Sequence, residues 1–197
     1  MLSGPARALL AGLAMTAAIL AVWMIYIGVD RIGLASFLLR WLHVLAAIVW
    51  LGQIAFINFV QIVALKELEG AERGGVLKAI VPRVAMLFRS ASHLTVITGI
   101  LLLVTSGYLL DRWVFSSTVY VPPLRNLLLW GGMLGGMAMW AIAHFAVWPS
   151  VQVVLGIKPG DANATAAARV RIEFFARINL ALSLPVTFVM VAASHLY

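Results

Sequence analysis

The sequence predicts an all-α membrane protein, a polytopic helix bundle with about five transmembrane helices. Three observations predict it. Hydrophobic residues make up 63% of the 197 positions and charged ones 11%, and the mean hydropathy is +1.04. So apolar a chain needs lipid or other helices around most of its surface. Its formal charges fall in clusters, and the five runs between them have the roughly 20 residues a helix needs to cross the hydrocarbon core. The basic residues, finally, alternate in density from one connection to the next, as they do in chains that thread a bilayer.

The spans run approximately over 8–29, 41–65, 90–110, 126–157 and 178–197, in a single membrane domain covering 1–197. The first has Arg7 ahead of it and resembles a signal peptide, but it is long for the apolar core of one and reads as a permanent span. The segment at 66–89 is too apolar after Gly75 for a free linker and predicts an interfacial helix leading into the third span. In the fourth run, Trp148-Pro149 predicts a kink or an end, because proline disfavours helical backbone in the residue before it. "KPGD" at 158–161 reads as the turn that follows.

Orientation follows from lysine and arginine. One side carries Arg7, then Lys66, Arg73, Lys78, Arg83 and Arg89, then Lys158, Arg169, Arg171 and Arg177; the other carries only Arg31, Arg40, Arg112 and Arg125. The positive-inside rule places the N-terminus in the cytoplasm and the C-terminus in the periplasm of a bacterial inner membrane. The formal net charge of +7 therefore records topology and lipid contact, and no nucleic-acid surface is expected. There is no cysteine, which excludes disulfides, Fe–S clusters, thiolate metal sites and covalently attached haem.

Four histidines occur, one in each of the last four spans: His43, His93, His144 and His195. Taken singly, each is as readily a polar residue bonded to a neighbouring helix as a functional one. Depth makes the set more informative. His43 begins the inward second span and His195 ends the outward fifth. His93 starts the outward third span, and His144 lies about 27 Å into the inward fourth. The histidines thus sort into an outer pair, His43 with His195, and an inner pair, His93 with His144. Two neutral imidazoles from facing helices are the ligand set of a non-covalent b-type haem, one per pair, and a helix-bundle core is a frequent place to build it.

Neighbouring residues fit that chemistry. Arg40 precedes His43 by three residues, Arg89 precedes His93 by four, and Arg177 is another inner-side cation; each could pair with a haem propionate. All three are equally interface anchors. Trp50 lies two turns below His43 on one face with Ala47, and Met137 with Met133 shares the His144 face. "GGMLGG" at 131–136 points mostly away from His144 and predicts a close helix–helix contact. Gln53, Asn58 and Gln61 are polar groups at membrane depth that must find partners on another helix or in a wet cavity. No Ser/His/Asp set, H-E-x-x-H motif or pair of membrane carboxylates occurs, so an electron carrier is expected rather than a self-contained enzyme.

"RWLHVLAAIVWLGQIAFINFVQ" at 40–61, "VPRVAMLFR" at 81–89 and "RINLALSLPVTFVMVAASHLY" at 177–197 resemble the membrane domain of bacterial cytochrome-c-linked urate oxidases, the urate oxidase N-terminal domain family. Order and rough spacing match over about 34–197. The resemblance implies an integral membrane redox protein, with His43, Arg83, Arg89 and His195 at the matching positions. Larger members pass electrons from urate to a c-type cytochrome domain on the same chain. Without cysteine this chain cannot carry that haem, so its redox partner would be another polypeptide, such as a c-type cytochrome. The expected function is a b-type cytochrome-like subunit relaying electrons within a larger redox complex. The alternatives are a membrane urate oxidase using a separate cytochrome c, and a non-redox accessory subunit.

Overall fold

The computed structural model describes residues 4–27, 31–105 and 123–195, and among them every regular element is helical. In chain order these are α1 (Pro5–Ile27), α2 (Arg31–Phe56), a π-helical turn π1 (Ile57–Gln61), α3 (Ile62–Glu67), α4 (Gly70–Ala79), α5 (Val81–Thr105), α6 (Pro123–Ala141), a second π turn π2 (Ile142–Val147), α7 (Trp148–Val154) and α8 (Ala162–His195). Among the described residues five stretches are long and apolar enough to cross a membrane: Pro5–Tyr26, Gly33–Glu67, Gly70–Thr105, Leu127–Val154 and Ala162–His195. The chain is an all-helical polytopic protein, as its charge-free runs predict. Asp111, Arg112 and residues 106–110 of the expected third span lie outside the described residues, as do 28–29 and 196–197 at the ends of the first and fifth.

The chain divides into two compact units, Met1–Leu38 and Leu39–Tyr197. In the first, α1 exposes Leu9, Met15, Ile19, Ile25 and Tyr26. Such a surface is stable only in an apolar solvent or against another apolar surface. Trp23 packs on Phe37 with ring centroids 5.0 Å apart.

The second unit has a core of Trp50, Ile54, Phe88, Ala91, Met139 and Ala143, with Leu180 and Val186 packed against it. Small residues set its closest approach. A Cβ at Gly135 would stand 2.6 Å from Val186, and one at Gly132 2.9 Å from Met190. The "GGMLGG" contact is thus made by these two glycines against α8, while a Cβ at Gly131 or Gly136 would meet nothing within 4 Å.

Several boundaries differ from those that charge alone suggests. α5 begins at Val81, with Pro82 in its first turn, where a missing N–H costs no hydrogen bond. Arg83 and Arg89 do not end it, because long cationic side chains can leave their stems on the helix and turn their heads aside; Arg83 hydrogen-bonds the Ala79 carbonyl. α8 begins at Ala162, where Asp161 caps it by accepting from the Ala164 N–H at 2.7 Å. Alanine-rich sequence after such a cap is helical in or out of lipid. Pro149 does not end the fourth span, which continues as helix to Val154. It follows directly on π2, whose wider turn loosens the i→i−4 ladder where the proline ring would clash and its N–H is missing. The span ends beyond α7 at Gly156, whose φ of +70° suits glycine after a helix.

Candidate functional site

The site is built where α5 meets π2 and α7. His144 stands in π2 and His93 in α5, and their rings lie edge to face with centroids 4.2 Å apart. Nε2 of His144 is 3.2 Å from Nδ1 of His93. Trp140 completes the cluster, 4.8 Å from the His144 ring and 5.9 Å from the His93 ring.

The hydrogen bonds fix both tautomers. A carbonyl oxygen only accepts, so Nδ1 of His144 carries the proton it gives to Trp140 O at 2.9 Å. Nε2 of neutral His144 is therefore a bare acceptor. Nδ1 of His93 is protonated for the same reason, donating to Arg89 O at 2.7 Å and sharing that hydrogen with His144 Nε2. One ring nitrogen of the pair is left uncommitted: Nε2 of His93.

His93 also lines an open cleft of about 460 Å³, walled by Pro82, Met86, Trp148, Leu155 and Ile157 and carrying Arg89 and Ser90. That volume is in the range of small-ligand sites, about 300–1,000 Å³. The Arg89 guanidinium lies over the Trp148 ring at 4.2 Å from its centroid. The cleft is thus mostly apolar, with the His93 imidazole, Ser90 and the Arg89 cation as its polar residues.

The outer histidines are placed differently. His43 is half-buried between α2 and α5, donating from Nδ1 to Thr95 O at 2.9 Å and to Thr98 Oγ1 at 3.2 Å. The Thr98 hydroxyl gives its own proton to Leu94 O at 2.6 Å, so it accepts from the imidazole. Gly99 makes the seat: a Cβ there would be 3.1 Å from His43 Cε1. His195 is exposed and, among the described residues, bonds its own helix at Val191 O, 3.1 Å away. Among the described residues, no hydrogen bond or ring contact joins His43 to His195.

The remaining candidates scatter. Trp50 is buried in the core, edge-on to Phe88 with ring centroids 6.4 Å apart. Met137 is 44% exposed, whereas Met139, two residues on, is 1% exposed. Arg177 lies 3.7 Å from Glu173 on its own helix, and Arg40 is exposed. Arg89 shares the cleft with His93. Asn179, Trp140 and Trp148 are features of this region that the histidine pattern alone does not single out. An asparagine inside the apolar run of α8 is the one such signal the sequence offers.

The model of a family described as "Predicted integral membrane protein (DUF2269)" matches residues 37–123. The chain is a predicted integral membrane protein. The matched stretch includes His43 and His93 and stops short of His144 and His195. No curated protein and no solved structure matches the chain. None of the comparisons links it to urate oxidases or to cytochrome c.

Proposed function

We propose that this chain is a haem-binding redox subunit of the membrane, with His93 as the ligand that anchors a non-covalent b-type haem in the α5–α7 cleft. The observation that carries the reading is His93, its Nδ1 engaged and its Nε2 uncommitted, in the lining of a mostly apolar cleft that also carries Arg89. The donor set fits the group with a changed division of labour. Two axial ligands on one iron must each present a free nitrogen, but the His144 lone pair is already taken by His93 Nδ1–H. The inner pair therefore supplies one ligand and its orienting partner.

In this reading each residue has a distinct task. The Arg89 carbonyl and His144 Nε2 share the His93 Nδ1 proton, which fixes the ring and raises the basicity of its other nitrogen, as outer partners of ligating histidines do. Trp140 O holds the His144 ring in the tautomer that can accept. The Arg89 guanidinium, stacked on Trp148, offers a cation to a carboxylate entering the cleft. A haem bound there would pass single electrons between partners, its potential set by axial ligand, charge and burial. Donor and acceptor would be other membrane polypeptides.

The basic connections support the orientation that goes with this reading. Lys66 at the end of α3 pairs with Glu173 near the start of α8 at 2.5 Å, so two of the three basic segments meet at one end of the unit. That end is the cytoplasmic one by the positive-inside rule.

The test is a reduced-minus-oxidised spectrum of the purified chain, made with ample haem supply. A b-type α-band is expected, and its absence from folded protein would end this reading.

A further inference from the structure

A second, partly open cavity shares Arg89 with the first. It measures about 60 Å³ and is lined by Asn58, Gln61, Asn179 and Arg89 among apolar neighbours that include Ala143 and Val147. Asn58 belongs to π1, and Ala143 and Val147 to π2, so both π turns border the chamber. Irregular helix at membrane depth is tolerated where protein or water satisfies the freed backbone groups, and π turns are frequent at functional sites.

Asn58 and Asn179 are 1% and 2% exposed. Their amide orientations are fixed, because each NH₂ points at carbonyl oxygens. Asn58 Nδ2 donates to Ile54 O at 2.9 Å and Ala176 O at 3.2 Å, and Asn179 Nδ2 donates to Met139 O at 3.3 Å. Both Oδ1 atoms are thereby left buried without a donor, together with Gln61 Oε1 and, as a donor without an acceptor, Arg89 Nε. Each such atom costs about 1–3 kcal/mol if nothing meets it. Four around one chamber would consume much of the 5–15 kcal/mol that typically stabilises a domain.

Charge and size select what meets them. Three neutral oxygens without a carboxylate, beside a guanidinium, oppose a metal cation. The same three oxygens turn their negative ends to an anion. A quinone ring exceeds the chamber, since small-ligand sites start near 300 Å³. Water both donates and accepts, and at about 30 Å³ per molecule two fit.

We infer that Asn58, Gln61, Asn179 and Arg89 line a water site of about two molecules in this second cavity of the membrane-spanning bundle. The waters donate to the three side-chain oxygens and accept from Arg89 Nε. Because Arg89 and Trp148 line both cavities, this water is separated from the His93 cleft by one stacked pair of side chains. The arginine is hydrated from within while it faces the cleft. This inference stands whether or not the cleft binds haem.

Water-edited solid-state NMR on the labelled full chain in liposomes tests it. Magnetisation is expected to pass from water to the side-chain amides of Asn58 and Asn179 several-fold faster than to the backbone amides of buried Ala192 and Ala193. Equal, slow transfer at all four would overturn the water site. Exchange of sodium for choline is expected to leave the two asparagine signals in place, and a sodium-dependent shift would overturn water in favour of a cation. Asn179→Leu removes one acceptor and is expected to slow transfer to Asn58. Unchanged transfer in a folded variant would overturn the shared chamber, and if that variant does not fold, the wild-type measurement decides alone.

Discussion

His43 and His93 carry the same side chain in the same tautomer, and the difference between their surroundings separates a packing residue from a ligand candidate. Both give Nδ1–H to a backbone carbonyl, His43 to Thr95 and His93 to Arg89. His43 does so across a helix–helix contact, seated on Gly99 and bonded a second time to Thr98. His93 does so within its own helix, beside an open cleft with an arginine in its wall. A histidine that ties two helices together is doing structural work with its bonded nitrogen. One held in place by its own helix, with a second imidazole against it, is oriented for what its free nitrogen can bind.

The largest expected effect is the loss of the ligand itself. His93→Ala should abolish the b-type band, read per folded protein because the substitution also removes the ring contacts with His144 and Trp140. His43→Ala should do the reverse. Losing a half-buried ring and two hydrogen bonds should cost about 2 kcal/mol, read as a lower midpoint in thermal unfolding in detergent, with the band per folded protein unchanged. Retention of the band in folded His93→Ala protein would break the comparison from one side. Loss of half the haem in His43→Ala would break it from the other, by showing that the outer histidine holds a second haem.

Next in size is the orienting residue. His144→Phe keeps the aromatic contact with Trp140 but removes one of the two acceptors of His93 Nδ1–H, leaving the Arg89 carbonyl. Outer partners of metal-ligating histidines are worth about 10–100-fold in affinity, and haem titration of the variant should fall in that range with a shifted reduction midpoint. An effect as complete as that of His93→Ala would mean that His144 ligates directly, through rearrangement of the hydrogen bond between the rings.

A steric substitution then sharpens the same contrast on the structural side. Gly135→Ala drives a Cβ to within 2.6 Å of Val186, and overpacking of that kind costs about 1–3 kcal/mol. Gly136→Ala meets nothing within 4 Å and should be neutral or slightly stabilising, since alanine favours helix over glycine. Thermal unfolding of the two variants side by side checks whether the α6–α8 contact has this register.

How much of this was legible in the sequence follows from the kind of signal each feature leaves. The spans were readable because apolar length is a one-dimensional property. Their ends were not, because Pro82, Arg83 and Asp161 act through helix start chemistry, which charge-free runs ignore. The sorting of histidines by depth brought His93 to His144 correctly, as depth along a helix follows from residue count. It said nothing about rotation, and rotation is what turns His43 onto Thr95 and Thr98 and leaves His195 on an outward face. The π turns are equally silent: no residue type marks "INFVQ" or "IAHFAV" as wider than an α-helix. Asn58 gave a warning as a polar residue at depth, but only the fold supplies Asn179 as its neighbour on the chamber wall.

The smallest effect concerns the end of the unit where Lys66 meets Glu173. Lys66 and Glu173 pair at 2.5 Å, with Arg177 at 3.7 Å from the same carboxylate. The lysine side chain is 59% exposed, so solvent and salt screen the pair, and such contacts are worth about 0–1 kcal/mol. Lys66→Met should therefore lower the unfolding midpoint barely or not at all, and less at high salt than at low. Its informative readout is topology. Removing one cation from a segment that also holds Arg73, Lys78, Arg83 and Arg89 should leave the inside face inside, as measured by protease protection of a C-terminal tag. An inverted C-terminus would show that this one lysine, through Glu173, holds α8 in place, and that the inner face is more finely balanced than its charge excess implies.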